Sequence, residues 1–147
     1  MTTTAERMNM GRTIVKIKVE NAYDLEVAAL GQNGSAEVRS VEVDALVDTG
    51  ASSLCMNREL IDKLGLRLTK EQLMSTATGA IRRRVFKNAW LTIMGRSCSV
   101  DVVEVNCKHQ ALVGYIPLES LDLIVDPKKQ KVTPNPEHGD EMILDLV

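Results

Sequence analysis

From Thr13 the chain alternates between apolar and polar positions: Val15, Ile17 and Val19 are separated by Lys16 and Lys18. Successive side chains of a strand point to opposite faces, so this pattern predicts a half-buried strand. A second strand is expected over Ala22 to Leu30. The Gly31-Gln32-Asn33-Gly34-Ser35 stretch after it contains Asn-Gly, a pair suited to a tight hairpin turn. A third strand, Ala36 to Val47, sets Val41, Val43, Ala45 and Val47 on one face. The period then changes. Leu60, Ile61 and Leu64 form a helical stripe, with Asn57 placed to cap it, Glu59 in its first turn and Gly65 placed to end it. Met74 to Ala80 is small and polar and reads as a loop or hairpin tip. Further strands are expected at Arg83 to Met94, Ser97 to Cys107, Ala111 to Val113, Leu123 to Val125 and Met142 to Val147. Pro117 can open a short helix running to Leu121. Many short strands with one or two short helices predict an all-β barrel or closed sheet.

Length and composition narrow the function. The 147 residues suit one domain, and 44% hydrophobic residues suffice for a core. Residues 1–12 read as a flexible leader, 13–132 as the domain, and 133–147 as a tail rich in proline and charge, its end a possible interface strand. The net charge of −2, with both signs interspersed, argues against nucleic acid as a partner. Arg82-Arg83-Arg84 could form a local basic patch, but a solvated strand or hairpin edge is the favoured reading. Three cysteines, Cys55, Cys98 and Cys107, make no CxxC pair and fit neither a disulfide framework nor a zinc site. They read as reduced, mostly buried residues of a cytoplasmic protein. Met1 to Gly11 lacks the apolar core of a signal peptide, and no apolar run reaches membrane-spanning length, so no membrane partner is expected. With two histidines, His109 and His138, a His-based triad or metal site has little support.

The informative stretch is Ala45-Leu46-Val47-Asp48-Thr49-Gly50-Ala51-Ser52-Ser53. Apolar residues lead straight into an aspartate, and a carboxylate buried at a strand end needs partners. Gly50 allows a close approach of backbone and can donate its amide to the carboxylate. Thr49 offers a hydroxyl to a neighbouring loop. Asp48-Thr49-Gly50-Ala51 after a hydrophobic strand resembles the active-site loop of retropepsin-like aspartic peptidases. Ala111-Leu112-Val113-Gly114, followed by Pro117-Leu118-Glu119-Ser120-Leu121, resembles the second apolar strand, glycine and helix of that family. The resemblance runs from about Thr13 to Val132.

The resemblance implies a closed acid-protease barrel, active as a homodimer, that hydrolyses peptide bonds without metal or cofactor. Asp48 would be the catalytic carboxylate, and Thr49, Gly50 and Ala51 its loop. Thr76, Ala77, Thr78 and Gly79 would form a flap over the peptide. Leu112, Val113 and Gly114 would help line the substrate pocket. The chain has one Asp-Thr-Gly, and Asp126, followed by Pro127, is a poor second catalytic loop; a second subunit would supply the other aspartate. The apolar cleft would take an extended peptide with hydrophobic side chains. Ser52 and Tyr115 stand where retroviral enzymes carry the acid and arginine that brace their dimer. The alternative is an inactive dimerisation or peptide-binding module on the same fold. An actin-like ATPase loop would need a larger fold and a second nucleotide loop.

Overall fold

The computed structural model describes residues 12–31, 37–106 and 108–146. Strand β1, Thr13–Asn21, pairs antiparallel with β2, Ser40–Val47, along its length, from Thr13 opposite Val47 to Glu20 opposite Ser40. The alternating apolar positions of both strands face inward, with Ile17, Val19 and Ala45 fully buried. The sheet continues through β7 (Ala111–Val113), β3 (Leu54–Met56), β6 (Arg96–Glu104) and β5 (Gly79–Ile93). β5 returns to pair with β1, Ala89 opposite Asn21 and Thr92 opposite Lys18, so six strands close a barrel. Its interior holds Leu54, Leu91, Ile93, Val102 and Val113, each with no exposed surface. This is the all-β closed barrel expected, a retropepsin-like architecture.

Among the described residues three short α-helices flank the barrel, where one or two were expected. The expected second strand, Ala22–Leu30, is helix α1. Asn21 Oδ1 accepts the Asp24 amide at 3.0 Å, and Gly31 closes the helix in the left-handed region at φ 66°. The caps and the helix-forming Ala, Leu and Glu content outweigh a modest apolar bias. Helix α2, Arg58–Leu64, forms as its sequence predicts: Asn57 Oδ1 accepts from the Leu60 amide, Gly65 ends it at φ 62°, and Leu60, Ile61 and Leu64 are buried. Helix α3, Tyr115–Ser120, begins two residues before Pro117 and buries Pro117 and Leu118.

Two strands escape the sequence pattern. β4, Arg67–Thr76, pairs with β5 out to a tip between Thr76 and Gly79, but nearly every residue in it is exposed, so no face carries an apolar signature. β9, Lys131–Pro134, makes a hairpin with β8, Leu123–Asp126, and runs into the tail expected from Thr133. The final strand expected over Met142 to Val147 does not form among residues 142–146, because the Ile143 amide goes to the Asp122 carboxylate instead of a neighbouring strand. The turn at Asn33-Gly34, Cys107 and the leader, apart from Arg12, lie outside the described residues. Among the described residues no helix is long and apolar enough to cross a membrane.

Asp122 is the buried acid of the fold. Its carboxylate accepts from Asn135 Nδ2 at 3.2 Å and the Ile143 amide at 3.0 Å, and lies 2.7 Å from His138 Nδ1. The Ile143 amide, then His138, stabilise the charged form, so the Asp122 pKa lies below its ordinary value. A depressed carboxylate contributes stability above its unfolded pKa of about 3.9, and loses it as pH falls through the lower folded value. Thermal melts should therefore show Asp122→Ala less stable than wild type at neutral pH, the gap narrowing as pH drops below that range. Leu91→Ala should cost about 2–5 kcal/mol in urea unfolding, a cavity in a closed barrel having little room to collapse.

Candidate active site

Asp48 is the first residue beyond β2. Val47 is opposite Val113 in the parallel β2–β7 pair, and the Asp48 amide adds one more rung by donating to Val113 O at 2.9 Å. The chain then turns, the Ala51 amide donating to Asp48 O at 3.0 Å. Gly50 donates its amide to Asp48 Oδ1 at 3.0 Å, which fixes the carboxylate against its own loop. A Cβ at Gly50 would lie 3.2 Å from that oxygen, so a side chain there would crowd the acceptor.

The outer side of the loop is stitched to the start of α3. Gly114 donates to Ser53 O at 3.0 Å, Tyr115 to Ala51 O at 2.9 Å and Ile116 to Ser52 O at 3.0 Å. The first amides of a helix have no partner within it, and here the loop carbonyls accept them. The approach is close enough that a Cβ on Gly114 would meet Ser52 C at 2.5 Å and Ala51 O at 2.6 Å, both backbone atoms. Only glycine fits.

The expected burial of Asp48 does not occur in the single chain. Val47 is 7% exposed, but Asp48, Thr49 and Gly50 are all exposed. The strand ends inside the barrel wall and the turn carries the acid outward. Thr49 borders a groove with Thr13, Tyr115, Leu118 and Ile124. Asp126 is no second site: its Oδ1 accepts the amides of Lys128 and Lys129 and shapes the β8–β9 turn.

A cleft of about 630 Å³ lies beside the loop, bounded by Gly50, Ala51 and Ser52 on one side and by Met74, Thr76 and Ile81 of the β4–β5 arm on the other. Of the four residues expected in the flap, Thr76 lines the cleft, and Ala77, Thr78 and Gly79 form the exposed tip beyond it. Thr76 Oγ1 donates to Gly79 O at 2.6 Å and closes that tip. Leu112, Val113 and Gly114, expected in the pocket, stand behind the loop and do not line the cleft. Val113 belongs to the barrel core, and Leu112 packs against Cys55, Val85 and Val103. Sequence reasoning missed Arg83, Val103, Val105 and Tyr115, which do line it. The face of β5 that carries Arg83 depends on a bulge that periodicity does not reveal.

A closed barrel whose strand-end aspartate sits on a loop pinned by a glycine defines the acid-protease class. The chain belongs to the aspartyl protease family: the family's model matches residues 34–116, more than half of its length, and takes in the Asp48 loop and Gly114. No curated protein matches it. The family is retropepsin-like and implies a peptide substrate.

Gly114→Ala should force the Asp48 loop away from α3. Overpacking of this kind costs about 1–3 kcal/mol. A lowered melting temperature together with shifted amide resonances for residues 48–53 would show it; an unchanged loop would contradict the contact.

Proposed function

We propose that the chain is an aspartic endopeptidase whose site forms when two copies bring their Asp48 carboxylates together. The observation that carries this reading is an aspartate held rigidly by backbone bonds, yet exposed, at the edge of a cleft. One carboxylate cannot serve as acid and base in the same step. Two placed side by side cannot both ionise cheaply and share one proton, an effect for which the aspartic-protease dyad is the standard example. The ionised member then takes a proton from the attacking water, and the protonated member donates to the peptide carbonyl. The pair titrates as a unit.

The Gly50 amide on Oδ1 holds the carboxylate in orientation. Thr49, exposed beside it, is free to bond to the second copy's loop. The β4–β5 arm serves as the flap, its two-residue tip over Thr76 to Gly79 able to close on an extended peptide. Residues 13–132 form the peptidase domain, and the segment after them contributes to the dimer interface. A reducing, cytoplasmic setting suits Cys55 and Cys98, which are thiols and not disulfide partners.

Peptide-library digestion by wild type and Asp48→Asn, with pepstatin as inhibitor, tests this reading. Asp48→Asn should lose about 10²–10⁴-fold or more in rate, while sedimentation shows the dimer retained. A fully active monomer would refute the shared site. A wild-type dimer that cleaves nothing between acidic and neutral pH would favour the inactive binding module.

A further inference from the structure

The cleft contains one cation. On the carboxy-terminal half of β5 the inward residues are Ala89, Leu91 and Ile93, all fully buried. Between Phe86 and Ala89 the strand carries one residue more than β6 opposite, and Asn88 takes φ 74° there. This bulge reverses the alternation, as an extra residue must. Phe86 turns to the barrel core, and Val85 turns to the outer cluster with Cys55 and Val103. Arg83 shares the Val85 face and lies half-buried in the cleft with Met74, Ile81 and Val105.

Two nearby arginines, Arg84 and Arg58, are already paired, and Arg82 is exposed to water. Arg84 Nη2 lies 2.7 Å from Glu104 Oε2, and Arg58 Nη1 lies 3.1 Å from Glu104 Oε1 and also pairs with Asp62. Both oxygens of Glu104 are thus engaged. Among the described residues Arg83 makes no ion pair, and no carboxylate lines the cleft with it. A guanidinium half-withdrawn from water against apolar walls loses hydration unless a partner restores it. Its planar fork matches a carboxylate in two-point contact.

We propose that Arg83 is a specificity-determining residue that binds a carboxylate of the peptide. The proposal rests on the cleft's being the peptide-binding site. Arg83 and Val105 also border an adjoining hollow of about 280 Å³ with Asn57, Arg58, Glu104 and Asn106 and no residue of the Asp48 loop; the Glu104 carboxylate there is already held by Arg58 and Arg84. The peptide's carboxylate is therefore recognised at a position removed from the scissile bond, while the apolar walls beside the loop take hydrophobic side chains.

Matched peptides carrying Glu, Gln or Lys at each position, with free or amidated C-termini, distinguish a side-chain carboxylate from a terminal one. Cleavage is measured with wild type, Arg83→Gln, Arg83→Lys and Arg83→Glu, and binding with the same peptides on Asp48→Asn, with and without Arg83→Gln. Wild type should prefer the carboxylate peptide by about tenfold at one position, the scale of a charge-assisted hydrogen bond. Arg83→Gln should bring that ratio near one, Arg83→Lys should retain part of it, and Arg83→Glu should invert it toward Lys peptides. A ratio unchanged by Arg83→Gln overturns the proposal, as does Asp48-dependent cleavage with no carboxylate preference. If wild type cleaves nothing, Arg83-dependent preference in binding still supports the proposal while the peptidase reading fails; absence of that preference overturns it.

Discussion

The whole site depends on one close backbone contact, where the loop from Asp48 to Ser53 meets Gly114. Four backbone bonds join residues 48–53 to residues 113–116, and the lack of a side chain at position 114 lets them form. The contact fixes the aspartate from outside its own loop. It also explains why β7 lies between β2 and β3: that place in the sheet sets Val113 beside Val47 on one side and beside Leu54 on the other. The barrel closes around this pair, and its buried Val113 anchors the end of the strand from which the contact is made. Packing, hydrogen bonding and the position of one carboxylate are thus a single arrangement.

That arrangement leaves the carboxylate in water. A single chain presents Asp48 on an open surface with one bond to Gly50, enough to orient it but not to make it an acid and a base at once. The cleft beside it is already shaped, with apolar walls, a hairpin arm above and Arg83 at one end. In the proposed dimer a second copy would add a charge partner for Asp48. On that proposal, chemistry would be coupled to assembly through electrostatics.

Much of this was legible in the sequence where physics is local. The alternation of Val15, Ile17 and Val19 gave β1, and Asn57 and Gly65 bounded α2, because strand faces and helix caps are set by near neighbours. Asp48-Thr49-Gly50 stood out as an acid and a glycine after an apolar strand, and Gly114 through the family resemblance. Other features depend on contacts distant in the chain. Helix α1 hid behind an apolar bias, since its cap Asn21 is also the last residue of β1 and donates its side chain to Leu64 O. β4 has no buried face to announce it, and only pairing with β5 makes it a strand. The role of Asp122 appears only when His138 and Ile143 fold back to it. Arg83 looked like part of a solvated edge because the Asn88 bulge, invisible to periodicity, decides which arginine faces the cleft.

The central claim is that each site needs Asp48 from two copies, and subunit mixing tests it most directly. Wild type is equilibrated with an equal amount of Asp48→Asn and assayed at fixed total protein. Random pairing leaves about a quarter of the dimers with both aspartates, so activity should fall to about a quarter of the undiluted value. Activity falling only to half, in proportion to the wild-type chains present, would mean that each chain works alone and would contradict the account.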